Sequence, residues 1–359
     1  MKRYFILKIL VVLSFYSTSL IAQNSKSLIS GSVLEKSANK PIIGVNIFIS
    51  GTLWGTTTDE HGIYKIKNIP PGDHEIVFSI IGYKQISKTV FVKSDSEKKL
   101  DVKLEERIYD LDEINVEAKK DEDWQDSFKI FRKLFLGFSD YSDECELENE
   151  LYIDFNWKAL STLEAKTSKP IVIKNFALGY KINCYLKYFE YNKYTKKLRY
   201  LINPQFVDLI KDFPERKEEW IEERNNTYKL SQENFLNSLW RNNFEEENYQ
   251  LSIIQELSNR VMDREYFIDE ITDADSIFFS GGIKNEKLLK FKNYLCVKID
   301  DDEDLTSYIK ILSDEVIIDN YGIAQDTYPY EVHGYWAKQG VANMLPKYYN
   351  LSSNFNDNR

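Results

Sequence analysis

Between residues 28 and 105 no apolar run grows long enough to make a helix before a turn cluster cuts it off. The runs are LISGSVL, GVNIFIS, GTTTD, IYKIKNI, HEIVFSII, ISKTVFV and LDVKLEE. Several alternate apolar with polar residues and are rich in β-branched side chains, which is the pattern of half-buried strands. Between them lie Ala38-Asn39-Lys40-Pro41, Asp59-Glu60-His61-Gly62, Pro70-Pro71-Gly72-Asp73 and Ile81-Gly82-Tyr83. Each cluster carries the Gly, Pro or Asp that a tight turn requires. Seven short strands with one apolar face each bury those faces most simply by forming two packed sheets. The spacing therefore predicts an all-β, seven-stranded sandwich over residues 28–117.

The run from Ile29 to Lys84 also carries a resemblance. Gly31, Pro41, Gly44, Val45, Gly51, Gly55, Thr58, Asp59, Gly62, Tyr64, Ile66, Pro71, Gly72, Gly82 and Tyr83 stand in the order found in the carboxypeptidase-regulatory-like domain. This resemblance implies a transthyretin-like, or prealbumin-like, sandwich and covers less than a quarter of the chain. The residues have matching physical roles. Pro41 rigidifies the turn before the strand at Val45, and Asp59 with Gly62 shapes a hairpin loop in which the carboxylate can accept backbone N–H groups. Pro71-Gly72 turns the chain into the strand at His74, and Gly82 suits a conformation or close approach that a Cβ would forbid. Gly31, Gly44, Gly51 and Gly55 are assigned structural turn roles of the same kind.

From Arg107 to Asp123 the chain is strongly charged, with a single apolar stripe of Leu111, Ile114 and Val116. We read a trailing strand and then a charged linker over 118–123. A similar LDEINV-like segment follows this sandwich in large outer-membrane transporters of Bacteroidota-type bacteria. The residues after it here contain helices and are too few for a transporter-sized barrel and plug, so a different companion is expected.

That companion, residues 124–350, reads as mixed α+β. Trp124, Phe128, Phe131, Phe135 and Phe138 recur at helical spacing. Strand-like runs follow, then helices near Pro214–Tyr228, with Trp220 and Ile221 on the apolar side, and near Gln232–Asn243. Further strands and a short helix around Trp336–Leu345 precede a polar tail at 351–359. No regular βαβ alternation occurs, so largely antiparallel pairing is expected. Several segments, among them KPIVIKNFALGYKINCYLKYFEY and GYWAKQGVANMLPKYY, are similar to a region that accompanies the sandwich in other exported Bacteroidota proteins. That resemblance implies an architecture and a location, and no mechanism.

Met1-Lys2-Arg3, an apolar stretch from Tyr4 to Ile21 and Ala22 make a secretory signal peptide over 1–22. The uninterrupted apolar core is shorter than a membrane span needs. No Cys stands near the cut, so no lipid anchor is expected. The reading places the mature protein in the periplasm, at the outer membrane or at the cell surface, without a transmembrane span. The net charge of -10 argues against nucleic-acid partners. An unidentified envelope protein or a glycan is the expected partner.

Catalytic signals are sparse. The three histidines, His61, His74 and His333, occur without HxxE or HExxH, so zinc carboxypeptidase chemistry is not expected. No GxSxG elbow, P-loop or dinucleotide fingerprint occurs. His333, near Asp326 and Glu331, is the one candidate base for a hydrolase of unrecognised type. The acidic run Asp300–Asp304 lacks calcium-loop spacing and reads as a solvated turn, and Gly281-Gly282 reads as a bulge or turn. Cys145, Cys184 and Cys296 allow at most one bridge, and spacing does not choose the pair. No metal or cofactor is expected. Trp54, Tyr335 and Trp336 are candidate interaction residues, Trp54 as an aromatic platform for a glycan or a partner, with packing against the neighbouring domain as the alternative for it. The chain is thus read as a non-enzymatic exported envelope protein, a docking sandwich joined to a partner-binding α+β region. The alternatives are a hydrolase in 124–359 or glycan binding through the sandwich. Intact-mass measurement on protein made in a Gram-negative host should give a mature chain starting at Gln23, whereas retention of residues 1–22 would contradict the export reading.

Overall fold

The computed structural model describes residues 27–107, 121–255, 267–282, 286–325 and 328–349. The signal peptide, the first half of the charged linker and the polar tail expected from the sequence lie outside the described residues, as does Asp326.

The first unit is a β-sandwich. One sheet holds β1 (Leu28–Glu35) with β4 (Ile63–Lys67) antiparallel on one edge and β7 (Glu97–Lys99) and β8 (Val102–Leu104) parallel on the other. The second sheet has the order β3 (Gly55–Thr57), β2 (Asn46–Ile49), β5 (Gly72–Ser79), β6 (Ile86–Val92). Alternation along β1 and β4 sends Ile29, Val33, Tyr64 and Ile66 inward, where they meet Ile47, Ile49, Ile76, Phe78, Val90 and Val92. The expected LDVKLEE strand is present as β8, and an additional strand, β7, precedes it, so that eight strands stand where seven were expected. Between β7 and β8 the chain passes close to Gly31: the backbone carbonyl of Leu100 lies 2.0 Å from where a Cβ on Gly31 would stand. The chain crosses β1 at that point, with Leu100 N–H donating to Ser30 O (2.8 Å) and Tyr64 Oη donating to Leu100 O (2.8 Å).

The remaining residues are built around two separate cores rather than a single one. In the first, α1 (Glu122–Leu136) lays Phe131 and Phe135 on a six-stranded sheet. Its strands are β9 (Cys145–Leu147), β10 (Ile153–Lys158), β11 (Thr162–Thr167), β12 (Ile171–Asn175), β13 (Tyr180–Asn192) and β14 (Leu198–Asp208). The order is β10-β11-β13-β12-β9, with β14 also paired to β13. Asp121 caps α1 by accepting Trp124 N–H (2.8 Å), so Glu122 and Asp123, expected in the linker, open the helix instead. Along β13 and β14, Ile182, Cys184, Ile202 and Phe206 enter this core. The alternate positions carry Asn183, Tyr185, Asn203 and Gln205 to the opposite face.

The second core lies between α3 (Gln232–Arg241) and a five-stranded sheet. That sheet has the order β16 (Phe267–Ile271), β15 (Tyr249–Ile254), β19 (Tyr294–Ile299), β20 (Asp302–Ile311), β22 (Tyr330–Gly334). A small sheet of β17 (Phe278–Ser280), β18 (Glu286–Leu289) and β21 (Val316–Asp319) extends it. All the strand pairs after residue 121 are antiparallel among the described residues. Asp300 and Asp301 form the turn between β19 and β20, and Gly281 follows β17. No helix among the described residues is long and apolar enough to cross a membrane.

Between the two cores lies α2 (Lys217–Lys229). Trp220 is buried as expected, but Ile221 is 37% exposed, because the inward face of α2 is set by Trp220 and Arg224, one turn apart. Trp220 Nε1 donates to Phe176 O (2.6 Å). The buried Arg224 guanidinium lies 3.8 Å from the Tyr180 ring centre. It donates to Leu178 O (2.7 Å), Gly179 O (2.8 Å) and both Asp208 carboxylate oxygens (3.0 and 3.1 Å). Arg224→Met removes the guanidinium from two carbonyls and a carboxylate, leaving Leu178 O without its side-chain donor and Asp208 without its ion pair. It should lower unfolding free energy by about 3–5 kcal/mol in urea denaturation, and Arg224→Lys should restore only part of that because it lacks the planar fork.

Candidate functional site: a cleft where three cores meet

The sandwich docks through its second sheet. Phe48 and Val77, opposite each other on β2 and β5, bury themselves against Tyr185 of β13, and the Phe48 and Tyr185 rings stack at 5.0 Å. Around them Asn46 Nδ2 donates to Gln205 Oε1 (2.8 Å) and Tyr185 Oη (3.1 Å), while Gln205 Nε2 donates back to Asn46 Oδ1 (3.1 Å). The loop after β2 then joins the backbones directly. Gly51 N–H donates to Pro204 O (2.7 Å), Phe206 N–H to Thr52 O (3.2 Å), and Lys347 N–H to Gly51 O (2.6 Å). Gly51 sits at φ +80°, and the Lys347 side chain passes 3.1 Å from where its Cβ would be. The residue is therefore small for two reasons, its backbone conformation and the stem lying across it.

This docking leaves a cleft of about 520 Å³ between the sandwich, β14, the end of β21 and the segment 344–347. Four carboxylates line it, Asp73, Glu75, Glu286 and Asp319, together with the ammonium groups of Lys187 and Lys347 and the exposed ring of Phe91. Burial pushes the Glu75 carboxyl up, but hydrogen bonds from Lys187, Ser87 and Asn203 outweigh this and hold it below the usual carboxylate range. The Lys187 contact is 2.7 Å. Asp319 accepts the N–H groups of Tyr321 and Ile323 at 2.9 Å each, yet burial still raises its pKa. Behind the cleft, Glu233 accepts Tyr348 N–H and is pushed up to about 8 by burial and then by Asp319. Lys347 lines the cleft, and desolvation lowers its ammonium pKa against the pull of Glu233, Glu75 and Asp319. Its Nζ makes no hydrogen bond or ion pair among the described residues.

The catalytic and interaction candidates singled out from the sequence lie elsewhere. His333 is exposed on the edge strand β22, 5.9 Å from the Tyr294 ring, and does not line the cleft. Trp54 is not an open platform: it is buried in the sandwich core with its ring 5.8 Å from Tyr348. Trp336 is buried in the second α+β core, its Nε1 donating to Leu230 O (2.8 Å), and Tyr335 is half-buried beside it. Both tryptophans pair with residues distant in sequence, which accounts for their burial. Among the turn residues, Asp59 accepts the N–H groups of His61 and Ile63 at 2.9 Å each. Gly44, Gly62, Gly72 and Gly82 have positive φ, Pro41 makes an isolated bridge to Leu34, and Gly55 opens β3. Gly51 and Gly72 also border the cleft, as does Pro71. None of the three cysteines forms a disulfide, and all are buried. Burial pushes the Cys145 thiol up to about 12 and Cys184 higher still, which suits them to packing rather than nucleophilic attack. Glu233, Asp319 and Lys347 carried no sequence signal: each is an ordinary charged residue in an ordinary context until the fold collects them.

Residues 29–116 match the model of the CarboxypepD_reg-like domain, and this part of the chain is such a domain. A TonB-dependent receptor of Formosa agariphila is 34% identical over 110 residues, which are 31% of this chain and 10% of the receptor. The chain thus spans about a tenth of the length of that curated relative. Among solved structures, the major pilin subunit of Bacillus cereus is similar over 23% of this chain and 31% of its own, at 16% identity and a TM-score of 0.20. A type II cohesin–X-dockerin complex from Acetivibrio cellulolyticus is similar over 21% of this chain and 52% of its own, at 23% identity and a TM-score of 0.18.

His74 lies in the wall behind this site. It is buried, bonds Pro70 O through Nε2 (2.7 Å) and is pushed down to about 4 from 6.5, chiefly by burial. The folded state therefore holds fewer protons than the unfolded chain between those two values. The stability this neutral ring contributes is complete above pH 6.5 and is lost as pH falls through 4. Urea midpoints should drop more steeply from pH 7 to pH 4.5 in the wild type than in His74→Gln, which keeps a donor for Pro70 O.

Proposed function

We propose that this chain is an exported cell-envelope protein without enzymatic activity. In this reading the sandwich is a docking and stabilising module for the α+β cores, and the cleft at their junction is where a partner binds. The observation that carries the reading is the joint itself: β2, β5 and the Gly51–Thr52 loop are committed to holding the neighbouring cores, and in doing so they frame a polar cleft. Export is supported by the basic start, the short apolar run and Ala22. The envelope is supported by the shared domain in a TonB-dependent receptor. A hydrolase built on His333 has less support, because that ring lies away from the cleft on an exposed edge strand.

Expression of the full chain in a Gram-negative host, followed by fractionation and a broad hydrolase screen, tests this. The processed protein should appear in the envelope or periplasmic fraction and turn over nothing. Turnover that disappears in His333→Ala, with the circular dichroism spectrum unchanged, would replace the reading with the hydrolase.

A further inference from the structure

We propose that the junction cleft binds a neutral, hydroxyl-rich saccharide, with one sugar face on Phe91 and its hydroxyls bridging Lys347 and the carboxylates of the opposite wall. The inference rests on the reading of the chain as a binding protein and names the chemistry of what it binds.

The charges disfavour the simpler ligands. An anion meets four carboxylates against two ammonium groups, and one of those, Lys187, is already engaged with Glu75 at 2.7 Å. A cation meets Lys347, whose ammonium stands in the cleft without an ion pair among the described residues. Three of the four carboxylates, for their part, already have donors: Glu75 has Lys187, Asp319 has two backbone N–H groups, and Glu286 has the Gln325 amide (2.8 Å). What the walls retain is unused lone pairs on carboxylate oxygens and unused N–H groups on Lys347. A hydroxyl both donates and accepts, so it satisfies the two kinds of group at once, and a ligand carrying several can span the cleft without bringing in net charge.

Phe91 supplies the apolar element. It is directly across from Asp73 in the β5–β6 register, lines the cleft, and keeps 52% of its surface exposed, although it lies on a strand whose neighbours Val90 and Val92 are buried. An aromatic ring beside convergent polar groups gives a sugar ring a surface for its apolar C–H face. The cleft volume of about 520 Å³ is within the range of small-ligand sites. Lys347 is also held in place: its backbone N–H is bonded to Gly51 O at 2.6 Å and its stem lies across Gly51. The donor is thus positioned before a ligand arrives, which reduces the ordering cost of binding.

Saturation-transfer NMR and calorimetry on the full mature chain would decide. The probes are maltotriose, cellotriose, laminaritriose, mannotriose and xylotriose, with trigalacturonate and inorganic phosphate as charged competitors. At least one neutral trisaccharide should bind, and more tightly than either charged probe. Its affinity should fall about tenfold in Phe91→Ala and in Lys347→Met, the loss expected for one anchoring contact. Thermal midpoints of the variants verify folding, and Glu286→Gln on the cleft wall takes the place of Lys347→Met if that protein is unstable. The proposal is overturned by no transfer to any neutral probe at millimolar concentration, by tighter binding of trigalacturonate or phosphate, or by affinities unchanged in the variants. Because fractionation and the His333→Ala assay use no saccharide, either result leaves the envelope reading to be judged separately.

Discussion

One short stretch of chain, from Trp336 to Tyr348, enters all three hydrophobic cores in turn. Trp336 closes the second α+β core, Val341 and Ala342 complete the first, and Tyr348 is buried in the sandwich beside Trp54, His74 and Tyr321. Polar contacts hold the stretch between these anchors: Phe138 N–H to Lys338 O (2.9 Å), Asn175 Nδ2 to Ala342 O (2.7 Å), and Lys347 N–H to Gly51 O (2.6 Å). Each buried aromatic anchor contributes on the order of 1.5–3 kcal/mol from removal of apolar surface. The arrangement also couples the cores, since withdrawing the stretch opens three of them rather than one.

The cleft is a consequence of that coupling. The sandwich meets β13 and β14 on one side and Tyr348 on the other, so its β5–β6 edge faces β21 across a gap instead of packing against it. Charges crowd into this gap because its walls are the polar faces of elements whose apolar faces are already used. Their mutual compensation is incomplete: Glu75 is held ionised by Lys187 and Asn203, whereas Glu233 and Asp319 are pushed toward their neutral forms and Lys347 toward its own. A site with unsatisfied donors and acceptors at fixed positions is suited to a ligand that supplies both.

How much of this was legible in the sequence depends on whether the signal was local. The sandwich was legible almost strand by strand, because period-2 alternation and turn chemistry act over a few residues, and Asp59 caps its loop as its position suggested. The helices near Trp124, Trp220 and Phe235 were legible for the same reason. Local signals also left choices open or misled. Trp54 between two glycines read either as an exposed platform or as a residue packed against the neighbouring domain, and Ile221 beside Trp220 read as part of an apolar face. Trp54 is covered by Tyr348, nearly three hundred residues away in sequence, and the inward face of α2 is set by Arg224 bonding the loop at Leu178 and Gly179.

The sequence by itself determined the strands, the turns, the identity of the first domain and the absence of the common catalytic motifs, all of which rest on neighbours in the chain. Only the tertiary structure decided that the remainder forms two cores, that Asn183, Tyr185, Asn203 and Gln205 face the sandwich, and that Glu75, Asp319 and Lys347 share a cleft. The physical reason is that a strand's alternation states which residues leave a face but not what that face will meet. Charges drawn from β5, β21 and the segment after Met344 acquire a common environment only when long-range packing brings those elements together.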